Sequence, residues 1–360
     1  MKVLVLANNA TGLYRFRKEL LTSLMEAGHT VCISLPAGER VADLQAMGCQ
    51  YIETNVDRRG INPITDFKLF MTYKKMIRSL KPDLVITYTV KPNIYGGFAA
   101  RLSRKPYAIN ITGLGTAFQK KGLLRKLVTA MYKVTCRKAK VVYFENAGNK
   151  DLFVKEKIVR EKQTCVLNGA GVNLEDFPYQ EYPMEMQTTR FLFTGRVMQE
   201  KGVDELLQAM KTLRQEGLDC TLDILGGYEE NYLDTIRQCE EEGWLKYHGF
   251  QPDVVPYVAA CHCFILPSWH EGMANVNLES AAMGRPLITS NIYGCKEAVV
   301  ENESGYLAEV KNWESLYEAM KRFIALPMDQ RKAMGEVGRR HMEDNFDKKV
   351  VVARTIERLL

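Results

Sequence analysis

Glu271 and Glu279 stand with seven residues between them in the stretch Pro267-Ser-Trp-His-Glu-Gly-Met-Ala-Asn-Val-Asn-Leu-Glu-Ser-Ala-Ala-Met-Gly-Arg-Pro286. The preceding apolar run, 263–266, reads as a buried parallel strand, and 277–283 reads as the helix that follows, ended by Gly284 and Pro286. A strand that delivers a helix N-terminus to the edge of a sheet offers unpaired backbone N–H groups and a positive dipole end, both suited to a diphosphate. This geometry puts Glu271 in the loop and Glu279 inside the helix. Ionised carboxylates only accept hydrogen bonds, so the pair suits a ligand rich in hydroxyls.

A second group of candidates follows the run 190–194, which also reads as a strand. Arg196 and Lys201 leave its carboxyl end ahead of an amphipathic helix. Arginine grips phosphate oxygens with two N–H groups, and lysine adds a point charge. Gly226 and Gly227 follow the next strand, and Gly249 with Phe250 the one after, so both loops reach the same edge. Glycine at these points permits either a tight turn or close backbone approach to a ligand. Cys261-His-Cys263 lacks two further ligands at metal-binding spacing, and no Asp-x-Asp is present to bridge a metal to a diphosphate. No metal and no cofactor is expected.

The elements that must position these groups alternate. Strands are expected at 3–7, 31–34, 49–53, 84–88, 107–111 and 141–144, with helices at 14–27 and 37–47 between the first three. A second alternation carries strands at 190–194, 221–225, 245–248, 263–266 and 286–289. Strand–helix alternation is the mark of a parallel sheet with helices on both faces, which takes ligands at the strands' carboxyl ends. The chain's 360 residues exceed what one core serves. The expected fold is therefore α/β, two Rossmann-like doubly wound domains in tandem with a cleft between them. A proline-punctuated linker lies at 176–189. The domains are 1–178 and 179–345, and a last helix, 346–360, packs back on the first domain.

Charge divides along the same line. Residues 1–180 carry 29 Lys+Arg against 14 Asp+Glu, and the remainder 20 against 29. No acidic residue occurs between Asp83 and Glu145, and 121–139 reads as an amphipathic helix with leucines interleaved among cations. That composition suits an anionic membrane surface. Zinc-finger spacing and ribonucleoprotein motifs are missing, so nucleic acid is not the expected partner. Nine scattered cysteines make no disulfide framework. No signal peptide or membrane span is read, which makes the expected location cytoplasmic, peripheral at the inner face of the plasma membrane.

The order Gly195-Arg196, Glu200-Lys201-Gly202, Pro267-Ser268, Glu271-Gly272, Leu278-Glu279, Gly284 and Pro286 resembles the nucleotide-sugar domain of retaining glycosyltransferases of family 4, which have the GT-B fold. Gly12, Glu19-Leu20 and Ala27-Gly28-His29 resemble the opening glycine loop and first helix of that family. The resemblance implies that Arg196 and Lys201 bind the donor diphosphate and stabilise the departing nucleotide. It also implies that Glu279 takes the ribose hydroxyls, and that Glu271 holds the transferred sugar together with backbone N–H groups at Ala274, Asn275 and Val276. Gly226 and Phe250 belong to the donor side, as does Gly12, whose loop would approach the phosphates. Family members are generally metal-independent and retain anomeric configuration.

Within the family the chain looks most like enzymes that extend lipid-linked oligosaccharides, through Tyr14-Arg-Phe-Arg17, Gly113-Leu-Gly115 and Gly171-Val172-Asn173. This implies a UDP-sugar donor, carrying an N-acetylhexosamine or hexose, and an undecaprenyl-diphosphate-linked saccharide acceptor in surface polysaccharide or glycan assembly. Arg15, Arg17, Thr112, Lys120, Lys121, Arg125 and Lys126 are the candidates for the acceptor or membrane side. Thr112 stands where many members have a histidine. Two other readings share the architecture: a nucleotide-sugar epimerase, and a non-catalytic UDP-sugar-binding subunit recruited to the membrane.

Overall fold

Runs of apolar residues three to six strand positions long, most of them followed by a helix, build two all-parallel sheets. The computed structural model describes residues 1–57, 60, 62–115, 118, 122–184 and 187–360. They form two compact units, Met1–Ala170 with Lys349–Leu360, and Gly171–Lys348.

In the first unit the strands are β1 (Lys2–Leu6), β2 (Thr30–Leu35), β3 (Gln50–Glu53), β4 (Leu84–Tyr88), β5 (Tyr107–Ile111), β6 (Val141–Phe144) and β7 (Thr164–Val166). Their order is β3-β2-β1-β4-β5-β6-β7. Every residue of β4 and β5 is buried, as an interior parallel strand covered on both faces requires. Alternate residues feed two cores: Leu4, Leu6, Val85 and Ile109 join one, Val3, Val5, Ile86 and Ala108 the other. The helices are α1 (Ala10–Glu26), α2 (Val41–Ala46), α3 (Pro63–Leu80), α4 (Gly97–Leu102), α5 (Leu123–Cys136) and α6 (Ala147–Lys155). α1 starts earlier than its apolar period indicates because Asn9 caps it, accepting the Gly12 N–H at 2.6 Å.

In the second unit the strands β8 (Thr189–Thr194), β9 (Cys220–Leu225), β10 (Leu245–Tyr247), β11 (Cys263–Leu266), β12 (Leu287–Ser290) and β13 (Gly305–Ala308) are ordered β10-β9-β8-β11-β12-β13. Helices α7 (Val203–Gln215), α8 (Leu233–Glu241), α9 (Val255–Ala260), α10 (Asn275–Ala282), α11 (Trp313–Ile324) and α12 (Met328–Asn345) surround a single core. The helix expected at 277–283 is α10, which starts two residues earlier and ends one residue earlier.

The last helix, α13 (Lys348–Leu359), packs on the first unit, where the Tyr143 hydroxyl donates to the Thr355 carbonyl at 2.7 Å. The units divide at Ala170/Gly171 and Lys348/Lys349 rather than at 178/179 and 345/346. Backbone pairing is the reason: Val172 N–H donates to Phe346 O at 2.8 Å and Lys348 N–H to Val172 O at 3.0 Å. Among the described residues no helix is long and apolar enough to cross a membrane.

Candidate functional site

The second sheet reverses its order between β8 and β11, and loops from both strands meet there. A doubly wound sheet binds ligands at such a switch point. β8 ends at Thr194 and hands the chain to Gly195 and Arg196. Gly195 N–H donates to Leu225 O at 2.9 Å and Val197 N–H to Gly227 O at 2.9 Å, so the loop after β9 holds the loop of Arg196. Gly226 makes this possible: at φ +136° it lies so close that a Cβ would stand 1.9 Å from the Gly195 carbonyl oxygen. The close approach is to the chain's own backbone, where the sequence left open an approach to a ligand. Arg196 itself is half-exposed, with Glu229 at 3.6 Å. So loose an ion pair holds its cation weakly and leaves it ready for another anion.

Lys201 follows in a turn of 3-10 helix, and Gly202, at φ +73°, lets α7 begin against the Pro267 carbonyl. The Lys201 ammonium donates to Glu271 Oε1. Both side chains are largely buried, at 19% and 14% exposure, so the contact is a charge-assisted bond in a partly dry site. The two residues read separately from the sequence are thus one unit. The buried Cys295 thiol feels both charges and is pushed far up by burial and further by the Glu271 charge.

Polar atoms at the same sheet edge await partners. Thr194 Oγ1 at the end of β8, Ser268 Oγ just past β11 and Asn275 Oδ1 at the start of α10 are buried with no hydrogen-bond partner among the described residues. Native interiors rarely leave such groups unsatisfied, so their gathering at one sheet edge marks a place for a polar ligand. Glu279 sits in the second turn of α10, nearly closed to solvent at 5% exposure. Phe250 stands out at 74% exposure, directly after Gly249, whose carbonyl accepts the Gly226 N–H at 2.7 Å. An exposed ring at a sheet edge offers a flat face for stacking.

The expected row of backbone donors is corrected in part. Ala274 N–H donates to Gly294 O at 2.7 Å and Asn275 N–H to Met273 O at 3.0 Å, so both are spent inside the loop. Val276 lies in the first turn of α10, where a helix leaves N–H groups for an outside acceptor. Gly294, which braces the Glu271 loop, was not singled out from the sequence. Its signal was a glycine in the loop after β12, at the same edge. Cys261-His-Cys263 is structural: His262 Nδ1 accepts the Arg190 N–H at 2.9 Å, and burial pushes the Cys261 thiol up to about 12.

In the first unit, Gly12 is corrected from a loop residue to the first turn of α1, its N–H taken by the Asn9 cap. Arg17, expected on the acceptor or membrane side, is buried: it donates to Glu145 Oε1 at 2.6 Å and lies over the Tyr88 ring at 5.0 Å. Burial raises the Glu145 carboxyl above its ordinary range, and the Arg17 charge opposes this without overcoming it. Arg15 is exposed, near the Phe16 ring, and Thr112 is half-buried just past β5. Arg125 donates to Glu156, which neutralises it, whereas Lys126 is exposed. Lys120 and Lys121 lie outside the described residues. α5 buries Val128 and Tyr132 while Leu123, Leu124, Leu127 and Val134 face solvent, so it both packs on the core and presents an apolar stripe.

Two Rossmann-like parallel sheets, the second with a cation–carboxylate pair at its switch point, have the architecture of the GT-B fold. In this chain, residues 180–341 match the family described as "Glycosyl transferases group 1" and residues 2–146 match "Glycosyl transferase 4-like". It is 24% identical to the N,N'-diacetylbacillosaminyl-diphospho-undecaprenol alpha-1,3-N-acetylgalactosaminyltransferase of Campylobacter jejuni, covering 99% of this chain and 98% of that relative. It is 29% identical to the UDP-Gal:alpha-D-GlcNAc-diphosphoundecaprenol alpha-1,3-galactosyltransferase of Escherichia coli, over 73% of this chain and 72% of the other. Its fold resembles that of Anabaena Alr3699/HepE in complex with UDP and glucose, with a TM-score of 0.80 and 16% identity over 99% of this chain and 98% of that one.

Proposed function

We propose that this glycosyltransferase moves an N-acetylhexosamine or hexose from a UDP-sugar to an undecaprenyl-diphosphate-linked saccharide, with retention of configuration and without a metal. The observation that carries the reading is the Lys201–Glu271 pair at the switch point, with the unpartnered Thr194 and Ser268 hydroxyls at the ends of the same two strands. The names of the two relatives supply the donor and acceptor classes.

A diphosphate brought to Lys201 takes over one side of the pair. Glu271 then has acceptor capacity for the hydroxyls of the transferred sugar. Arg196 adds two-pronged contacts to the phosphate oxygens, and together the cations stabilise charge that grows on the departing nucleotide. Glu279 receives the ribose, Val276 N–H a sugar or phosphate oxygen, and Phe250 a face of the base. The protein works at the cytoplasmic face of the membrane, where the exposed leucines and cations of α5 meet anionic headgroups.

Nucleotide release from a panel of UDP- and GDP-sugars, with and without an extracted undecaprenyl-diphosphate saccharide fraction, tests this. Lipid-dependent release from one UDP-sugar, lost in Arg196→Ala and Glu271→Ala and unchanged by EDTA, is the expected result. An anomeric proton coupling in the product that matches the donor's α-linkage supports retention. Donor binding with no turnover on any lipid fraction would overturn the proposal.

A further inference from the structure

The first unit's sheet also reverses its order, between β1 and β4, which are hydrogen-bonded neighbours with Leu6 opposite Thr87. The crevice past their carboxyl ends is therefore that unit's own ligand position. The first residue past β4 is Thr89, and its backbone is left-handed, at φ +70°. A β-branched residue is an outlier there because its Cβ crowds the backbone carbonyl. Such strain persists only where the surroundings enforce it, and it clusters at ligand sites.

The enforcing surroundings are specific. The Thr87 hydroxyl donates to Asn93 Oδ1 at 2.7 Å, the Asn93 amide to the Asn110 carbonyl at 2.8 Å, and the Asn110 amide to the Thr87 carbonyl at 3.1 Å. This buried triangle ties β4 and β5 to a π-helical turn, Pro92–Gly96, whose Asn93 N–H also donates to the Thr89 carbonyl at 2.9 Å. Turns of that kind are rare and recur at functional sites. Thr89 Oγ1, on the first residue past β4, is shielded from solvent and has no hydrogen-bond partner among the described residues. Two cations near this edge are neutralised, Lys91 by Asp66 and Arg17 by Glu145, each at 2.6 Å. The unpaired group at this edge is thus a neutral hydroxyl, which matches a sugar hydroxyl better than a phosphate.

Building on the transferase reading above, we propose that Thr89 contacts the acceptor saccharide, its hydroxyl hydrogen-bonding to a hydroxyl of the sugar that is to be extended. The strained backbone holds that hydroxyl in place, so stability is given up at this residue for acceptor positioning.

Purified Thr89→Val, Thr89→Ser and Thr89→Gly proteins are compared with wild type in three assays. These are transfer from UDP-N-acetylgalactosamine, UDP-galactose or UDP-glucose to the undecaprenyl-diphosphate saccharide fraction, UDP release without acceptor, and melting temperature. Thr89→Val is expected to lower kcat/KM for the acceptor by roughly 5- to 100-fold, with acceptor-free UDP release and melting temperature unchanged. Thr89→Ser keeps the hydroxyl and stays within about three-fold of wild type. Thr89→Gly relieves the backbone, so it melts higher and loses transfer. Wild-type acceptor kinetics in Thr89→Val, or a higher melting temperature with full transfer in Thr89→Gly, overturns the contact while leaving the transferase reading intact. A defect equal in acceptor-free release places Thr89 on the donor instead and also overturns it. Wild type with no lipid-dependent release on any of the donors overturns both readings together.

Discussion

Lys201 and Glu271 are 70 residues apart in the chain and each is the other's charge partner, so neither can be altered alone without leaving an uncompensated ion in a partly dry site. Lys201→Ala and Glu271→Ala are each expected to lower kcat/KM for the donor by about 100- to 1,000-fold. The double variant should be far less impaired than the product of the two, because it removes one unit; UDP-release kinetics on the four proteins measure this. Multiplicative losses would mean that the residues act independently. Glu145 carries a pH signature. Its carboxyl is held above the ordinary value of 4.5, chiefly by burial, so the unfolded chain is the stronger acid at this position. Its contribution to stability is full below pH 4.5 and is lost as pH rises through the raised value. The stability of wild type relative to Glu145→Gln is therefore expected to fall as pH rises from 4.5 toward neutrality. Urea denaturation of both proteins across that range gives the difference, and a difference that rises with pH would contradict the assignment.

Between elements, the contact that sets the donor edge is the one between the loops after β8 and β9. Gly226→Ala forces a Cβ into the Gly195 carbonyl at a positive φ, with an expected cost of about 1–3 kcal/mol. Because the strained neighbour carries Arg196, UDP affinity should fall along with the melting temperature; calorimetry and UDP titration check both. The strands that build the two sheets were legible because interior parallel strands are continuous apolar runs, and β4, β5, β6 and β11 were expected at the bounds observed. The edge strands β7 and β13 escaped notice: Thr164–Val166 has three residues, and Gly305–Ala308 opens on a glycine, so neither offers a run to read. Arg196, Lys201, Glu271 and Glu279 were legible as residues leaving strand ends. The Lys201–Glu271 bond and the burial of Arg17 against Glu145, 128 residues away, depend on tertiary packing and leave no mark in local spacing. Gly12 was misplaced because a cap made by Asn9 extends α1 beyond its apolar period.

At the scale of the whole molecule, charge is segregated, with the excess of cations in residues 1–180. Vesicles containing about a third anionic lipid are expected to pellet the protein at 50 mM salt and to release most of it at about 500 mM, where the screening length has shrunk to a few ångströms. Leu127→Glu, on the exposed stripe of α5, should weaken binding at low salt without lowering the melting temperature, since that side chain is 58% exposed. Pelleting that ignores both salt and this substitution would sink the membrane reading. All nine cysteines are free and buried, and burial raises thiols such as Cys49 and Cys220 to about 11. A disulfide exchange reagent at pH 8 should find almost no fast-reacting thiol in the native protein and nine after unfolding. The return of α13 to the first unit also sets an order of events during synthesis. Lys140 and Tyr143 take their partners from Thr355, Leu359 and Leu360, which follow the whole of the second unit in the chain. The unit begun first is therefore completed only after the second unit has been made, and until then the face that α13 covers is open.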